Sequence, residues 1–151
     1  MEEAHPMNAT LEKFGYPHTL LKDFRHWCIL LRPSQITLGA LILCSKHSAT
    51  SFGTLPVEAH AELQACTAKI ETALKVFRPF DKINYIALMM VDPHVHFHVL
   101  PRYSASQDFD GTTFPDPGWP GVPDFKSSPA LSERTRRTLH ASLLDAFAQV
   151  V

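Results

Sequence analysis

The segment His94–Tyr103, "HVHFHVLPRY", alternates imidazole and apolar side chains before it runs on apolar. A strand turns that alternation into two uniform surfaces, because successive side chains point to opposite faces. His94, His96 and His98 then share one face, while Val95, Phe97 and Val99 point into a core. Just upstream, "INYIALMM" (83–90) reads as a buried strand and "VDP" as a short turn. An antiparallel hairpin is expected, with the histidine strand beside 83–90.

The rest of the chain supplies partners for that hairpin. Two apolar runs, "WCILL" (27–31) and "LGALILC" (38–44), flank "RPSQIT", where Pro33 and Ser34 offer turn chemistry. They read as neighbouring antiparallel strands. From Thr54 to Phe77 the period becomes helical: Ala59, Leu63, Cys66, Ile70, Leu74 and Phe77 recur at spacings of three and four. Thr54 is the expected cap and Pro79 lies past the end. Residues up to about Phe24 hold Leu11, Phe14, Leu20 and Leu21 for a core, but Gly15 and Pro17 break any long helix, so short or edge structure is expected there. Residues 104–128, rich in Pro and Gly, read as a long surface loop, and 129–150 as a C-terminal helix capped by Ser128, burying Leu139, Leu143 and Phe147.

With 151 residues and 45% hydrophobic content, the whole of 1–151 reads as a single α+β domain. A formal net charge of -1 gives no footprint for a nucleic acid polymer or an anionic membrane surface. Cys28, Cys44 and Cys66 lack CxxC spacing and suggest neither a disulfide framework nor a zinc ribbon. The N-terminus shows no leader pattern and no apolar run reaches the roughly 20 residues of a bilayer span, so a cytoplasmic protein is expected.

Two kinds of chemistry suit imidazoles on one face. As metal ligands, only neighbours can meet one ion, since three same-face positions span roughly 13 Å at about 3.3 Å per residue. A metal site would use two of the three and recruit a carboxylate or another His. Alternatively, one imidazole is a covalent nucleophile toward phosphorus and the others position it and the substrate. The middle one, His96, has a His on either side and is the natural nucleophile.

The run His94-Val95-His96-Phe97-His98-Val99-Leu100 resembles the His-φ-His-φ-His-φ-φ signature of the histidine triad superfamily of nucleotide hydrolases and transferases. "LGALILCSKH" is similar to the strand that leads into that family's Pro-Lys-x-His segment. The resemblance implies a five-stranded antiparallel sheet decorated by helices, commonly paired into a homodimer, and a small-molecule nucleotide as partner, with no cofactor and no metal. It implies that His96 attacks the α-phosphate to give a nucleotidyl-histidine, that His98 contacts the phosphate and the bridging oxygen, and that His94 supports the nucleophile through its backbone carbonyl. The Pro-Lys-x-His segment is replaced here by "CSKH", in which Lys46 is the counterpart of its Lys and His47 looks like the additional His that often lies behind the triad, both expected near the nucleotide phosphates, and Asn84 resembles an Asn that touches ribose or phosphate. Where relatives carry a polar donor before the triad this chain has "MMVDP", with Met89 and Met90, and where many carry a ribose-binding Asp it has Leu31 and Arg32. Arg32 is then a candidate for holding the phosphates. Trp119, in the loop, is a candidate to stack on a base. Phe24 and Trp27 read as core aromatics, and Arg134, Arg136 and Arg137 as a solvated helix face. Two alternatives stay open: a nucleotide sensor without turnover, and a metalloprotein using two of the histidines.

Overall fold

The computed structural model describes residues 8–151, so the reading of the first seven lies outside them. The chain runs α1 (Ala9–Lys13), β1 (Leu20–Asp23), β2 (Trp27–Leu31), β3 (Leu41–Ser45), α2 (Val57–Phe77), β4 (Lys82–Ile86), β5 (His96–Arg102), β6 (Gln107–Phe109), β7 (Thr112–Phe114) and α3 (Glu133–Ala148). Five strands form one antiparallel sheet in the order β1-β2-β3-β5-β4. The expected α+β class and five-stranded sheet are what the chain forms. Among the described residues no helix is long and apolar enough to cross a membrane.

Both faces of the sheet are covered, which explains the unbroken apolar runs. Every residue of β2 and β3 is buried. One face carries Trp27, Ile29, Leu31, Leu41, Leu43, Val95 and Val99, packed on Ala59, Cys66 and Ile70 of α2 and Leu139, Leu143 and Phe147 of α3. Trp27 is fully buried there and donates its indole Nε1–H to the Ala59 carbonyl, 2.7 Å away. The other face is narrower: Leu11 and Phe14 of the N-terminal segment close over Cys28, Leu30, Ile42 and Cys44. Ile42 lies opposite His98 and Cys44 opposite His96 in the register, so this second face is the one that carries the histidines.

Several elements differ from the sequence reading, each for a local reason. β4 stops at Ile86 and is half-buried at an edge of the sheet; Leu88 and Met90 are exposed in the connection to β5, where Met89 takes a positive φ of 39°. β3 starts at Leu41, because residues 35–40 form a turn around the buried Gln35. Its amide nitrogen donates to the Arg32 and Ala40 carbonyls (2.7 and 2.8 Å), its oxygen accepts from the Gly39 N–H (2.8 Å), and Gly39 has a φ of +90°. α2 starts at Val57 after a short 3₁₀ turn, and Thr54 bonds back to Ser51 and caps nothing. The 104–128 segment is not all loop: Asp110 and Gly111, both at positive φ, turn β6 into β7. α3 begins at Glu133, capped by Ser132 accepting from the Thr135 N–H at 3.0 Å, three residues past Pro129.

Candidate functional site

The triad sits at the start of β5. His96 and His98 are in the strand, 1% and 6% exposed, with ring centroids 5.1 Å apart and edge to face. His94 precedes the strand and is held from α1. The Thr10 hydroxyl oxygen accepts from the His94 N–H (3.3 Å), and that same oxygen lies 3.0 Å from His94 Nδ1. With its oxygen taken by an N–H, Thr10 has its hydroxyl proton to give to the ring. Phe14 rests against both buried imidazoles, with centroids 5.7 and 5.9 Å away.

Different partners fix the two buried rings. His96 Nδ1 lies 2.6 Å from the His94 carbonyl oxygen, which can only accept. The proton is therefore on Nδ1, and in the neutral ring Nε2 carries the lone pair. His98 Nδ1 instead faces Arg32 Nε at 3.2 Å, a group that can only donate, so the lone pair is on Nδ1 and the proton on Nε2. Burial first, then the Arg32 and His96 charges, push the His98 imidazole down from its ordinary 6.5 to about 4. It is neutral at pH 7. Burial also lowers the Arg32 guanidinium from its ordinary value, with Asp92 acting the other way. Nε2 of neither ring is hydrogen-bonded to any described residue.

Beside His98 lies a pocket of about 280 Å³ lined by Lys13, Phe14, Arg32, Pro33, Ser34, Asp92 and His98. Arg32 is anchored by a 2.7 Å bond from Nη1 to the Ser34 carbonyl, and Lys13 pairs with Asp92 at 3.1 Å. Phe125 closes over His98, centroids 5.5 Å apart, with the Arg32 guanidinium 5.7 Å from the Phe125 ring centre. Along the same strand face, Arg102 makes a bidentate pair with Asp116 (2.7 and 2.9 Å), both side chains almost fully buried, and binds the Asn84 and Gly121 oxygens.

Of the residues singled out from sequence, the structure brings His94, His96, His98 and Arg32 together. Asn84 shares the strand face but is committed to Arg102, at 2.8 Å. Lys46 points to the β1–β2 hairpin, its ammonium bonded to Asp23 and to the Phe24 carbonyl, 2.8 Å each. His47 Nε2 meets His26 Nδ1 at 2.8 Å. Trp119, half-buried in the turn after β7, is not among the pocket's walls; the aromatic that the long segment delivers is Phe125. Thr10, Phe14, Lys13 and Phe125 had no sequence signal as site residues, because each reaches the triad across a long chain separation, and Asp92, two residues before His94, was read only as part of a turn. Among the described residues, no group of three or more His, Cys, Asp or Glu side chains is arranged to hold a metal ion.

No family model and no curated protein matches the sequence. Solved structures do match the fold. A histidine triad protein from Sinorhizobium meliloti is 23% identical, with 94% of this chain and 96% of that one covered at a TM-score of 0.72. One from Marinobacter aquaeolei is 22% identical over 99% and 100% at 0.73. A hypothetical histidine triad nucleotide-binding protein from Sulfolobus tokodaii is 15% identical over 86% and 83% at 0.63. The five-stranded sheet, with three alternating histidines leading into the strand between β3 and β4, is the histidine triad fold.

Proposed function

We propose that this protein is a nucleotide hydrolase or nucleotidyl transferase that cleaves at the α-phosphate of a nucleoside phosphate derivative through a covalent intermediate on His96. The observation that carries the reading is the opposite setting of two neighbouring imidazoles: Nδ1 of His96 gives its proton to a carbonyl, and Nδ1 of His98 takes one from a guanidinium. One ring therefore offers a lone pair at Nε2 and the other an N–H. The nucleotide-binding name of the Sulfolobus relative supports the same class of ligand.

In this mechanism His96 Nε2 attacks phosphorus with its lone pair while the bond to the leaving oxygen or nitrogen breaks and takes its electron pair with it. The ring becomes a cationic nucleotidyl-imidazole, and its Nδ1–H bond to the His94 carbonyl gains charge assistance. His98 Nε2–H donates to the bridging atom, and Arg32 and Lys13 face the non-bridging phosphate oxygens. His96 is 1% exposed, is not itself a wall of the pocket, and has the Phe14 ring 5.7 Å away. Water or another acceptor then attacks the same phosphorus and gives up its proton to the departed leaving group or to solvent, the P–N bond breaks, and His96 recovers its lone pair.

Intact-protein mass spectrometry after brief, acid-free quenching with adenine and guanine nucleotides tests this directly. The expected result is a mass gain of one nucleoside monophosphate in the wild type and none in His96→Ala. Retention of most of the turnover in His96→Ala would exclude the mechanism, and nucleotide binding with neither adduct nor product would make the protein a sensor.

A further inference from the structure

A second cleft lies around the end of β2 from the triad, between residues 18–19, the β2–β3 turn and α3. Its volume is about 340 Å³, within the range of small-molecule sites. Leu31 and Leu139, both buried, form its apolar floor. Its rim is cationic: Arg32, Arg136 and Arg137, with His18 and His140, all line it, and no carboxylate does. Arg32 and Pro33 are walls of this cleft and of the triad pocket alike.

The arginines are positioned but not neutralised. Arg136 donates one Nη1 bond to the Pro33 carbonyl (3.0 Å), which fixes the side chain against the β2–β3 turn and leaves its charge without a carboxylate partner among the described residues. Among the described residues Arg137 pairs with Glu133 alone, at 3.5 Å with both side chains largely exposed, a pair that contributes little. His140 is held by its Nε2 on the Leu20 carbonyl at 3.0 Å. The Arg136 and Arg137 guanidiniums over an apolar floor match an anion that carries an apolar body, since planar forked donors suit phosphate oxygens and the leucines suit a ring.

We propose that this cleft is a second ligand site, for a phosphate monoester with an apolar or aromatic body. It does not rest on the triad chemistry, although Arg32 and Pro33 wall both clefts. Phenyl phosphate is the probe: the ¹⁵N-labelled full chain is titrated with it, and separately with phenol and with inorganic phosphate, while amide shifts are followed. The expected shifts centre on residues 18–19 and 131–140, with phenyl phosphate binding tighter than either fragment, less tightly as salt rises, and roughly tenfold more weakly to the R136Q/R137Q variant. Shifts centred on Phe14 and His98, no saturable shift in the wild type, or an affinity in the variant within about twofold of wild type would each overturn the site. Arg136 and Arg137 stand outside the triad pocket, so nucleotidylation of His96 stays unchanged in the variant. Failure of either proposal therefore leaves the other standing.

Discussion

Acidification gives a quantitative test of how His98 is held. Its imidazole is pushed from 6.5 to about 4 by burial and by Arg32, so in the folded chain it refuses a proton that the unfolded chain accepts. The sign follows: above pH 6.5 both states are neutral and nothing is lost, and stability drains away as the pH falls from 6.5 through 4. By linkage the loss attributable to this one ring is about 2 kcal/mol at pH 5 and about 3 kcal/mol once the pH is below 4. Other groups titrate over the same range, so the comparison must be made against His98→Asn, whose side-chain oxygen can still accept from Arg32 Nε but which does not ionise. Urea unfolding at pH 7.5 and pH 5 should show the wild type losing about 2 kcal/mol more than the variant, at an unchanged denaturant slope. The His98 ring resonances should stay flat from pH 8 down to about 5. Equal pH dependence in the two proteins, or a ring that titrates near 6.5, would refute the assignment of Arg32 and burial as the forces on this residue.

The buried Arg102–Asp116 pair and the turn that supports it give two further tests. Asp116→Ala leaves a buried guanidinium without its carboxylate and removes the acceptor of the Tyr103 N–H, so it should cost about 3–5 kcal/mol and lower the melting temperature by on the order of 10 °C; a loss under about 1 kcal/mol would mean that the site is open to water. Gly118→Ala would drive a methyl group into the Val122 carbonyl and displace Gly121, whose oxygen accepts from Arg102; calorimetry should show about 1–3 kcal/mol of destabilisation, against almost none for Gly53→Ala, where a methyl group meets no atom. Equal melting temperatures for the two glycine variants would show that the turn relaxes freely.

The alternation in "HVHFHV" was legible because one face of β5 meets the helices and the other meets the N-terminal segment, so period two survives along the strand. The apolar runs that became β2 and β3 were equally legible, though they carry no alternation, since both faces are buried. Boundaries were harder. The apolar "ALMM" after β4 looks like strand, yet Leu88 and Met90 stay exposed and the chain leaves the sheet at Ile86. The Asp110–Gly111 turn carried a hairpin signal, but strands of three residues are too short to show a period beside so many prolines. Illegible altogether were the contacts that decide the chemistry: Thr10 on His94, Arg32 on His98 and Phe125 on His98 join residues far apart in sequence, and no local pattern encodes such a meeting. Lys46 shows the converse, since a motif placed it near a phosphate while the hairpin carboxylate of Asp23 holds its ammonium.

The different roles proposed for His96 and His98 follow from what stands at Nδ1 of each ring, and the choice of residue at 32 is the restrictive one. A backbone carbonyl opposite Nδ1 exists wherever the chain bends at His94, so the His96 tautomer is set without any side chain. His98 lies inside the regular strand and needs an external donor. Arginine has no acceptor and does not lose its proton at any ordinary pH, so it imposes one tautomer. Glutamine in its place could turn either end toward the ring and would leave the tautomer undetermined, and a lysine ammonium is a more strongly hydrated ion, costlier to hold in the half-buried position that Arg32 occupies. The guanidinium can stand there because the turn beneath it is closed by Gln35, whose amide binds the Arg32 carbonyl, and because Nη1 is tied to Ser34. Loss of the Gln35 amide would then act on His98 at a distance: the turn loosens, Arg32 Nε leaves Nδ1, and the ring becomes free to present a lone pair where the proposed chemistry requires an N–H.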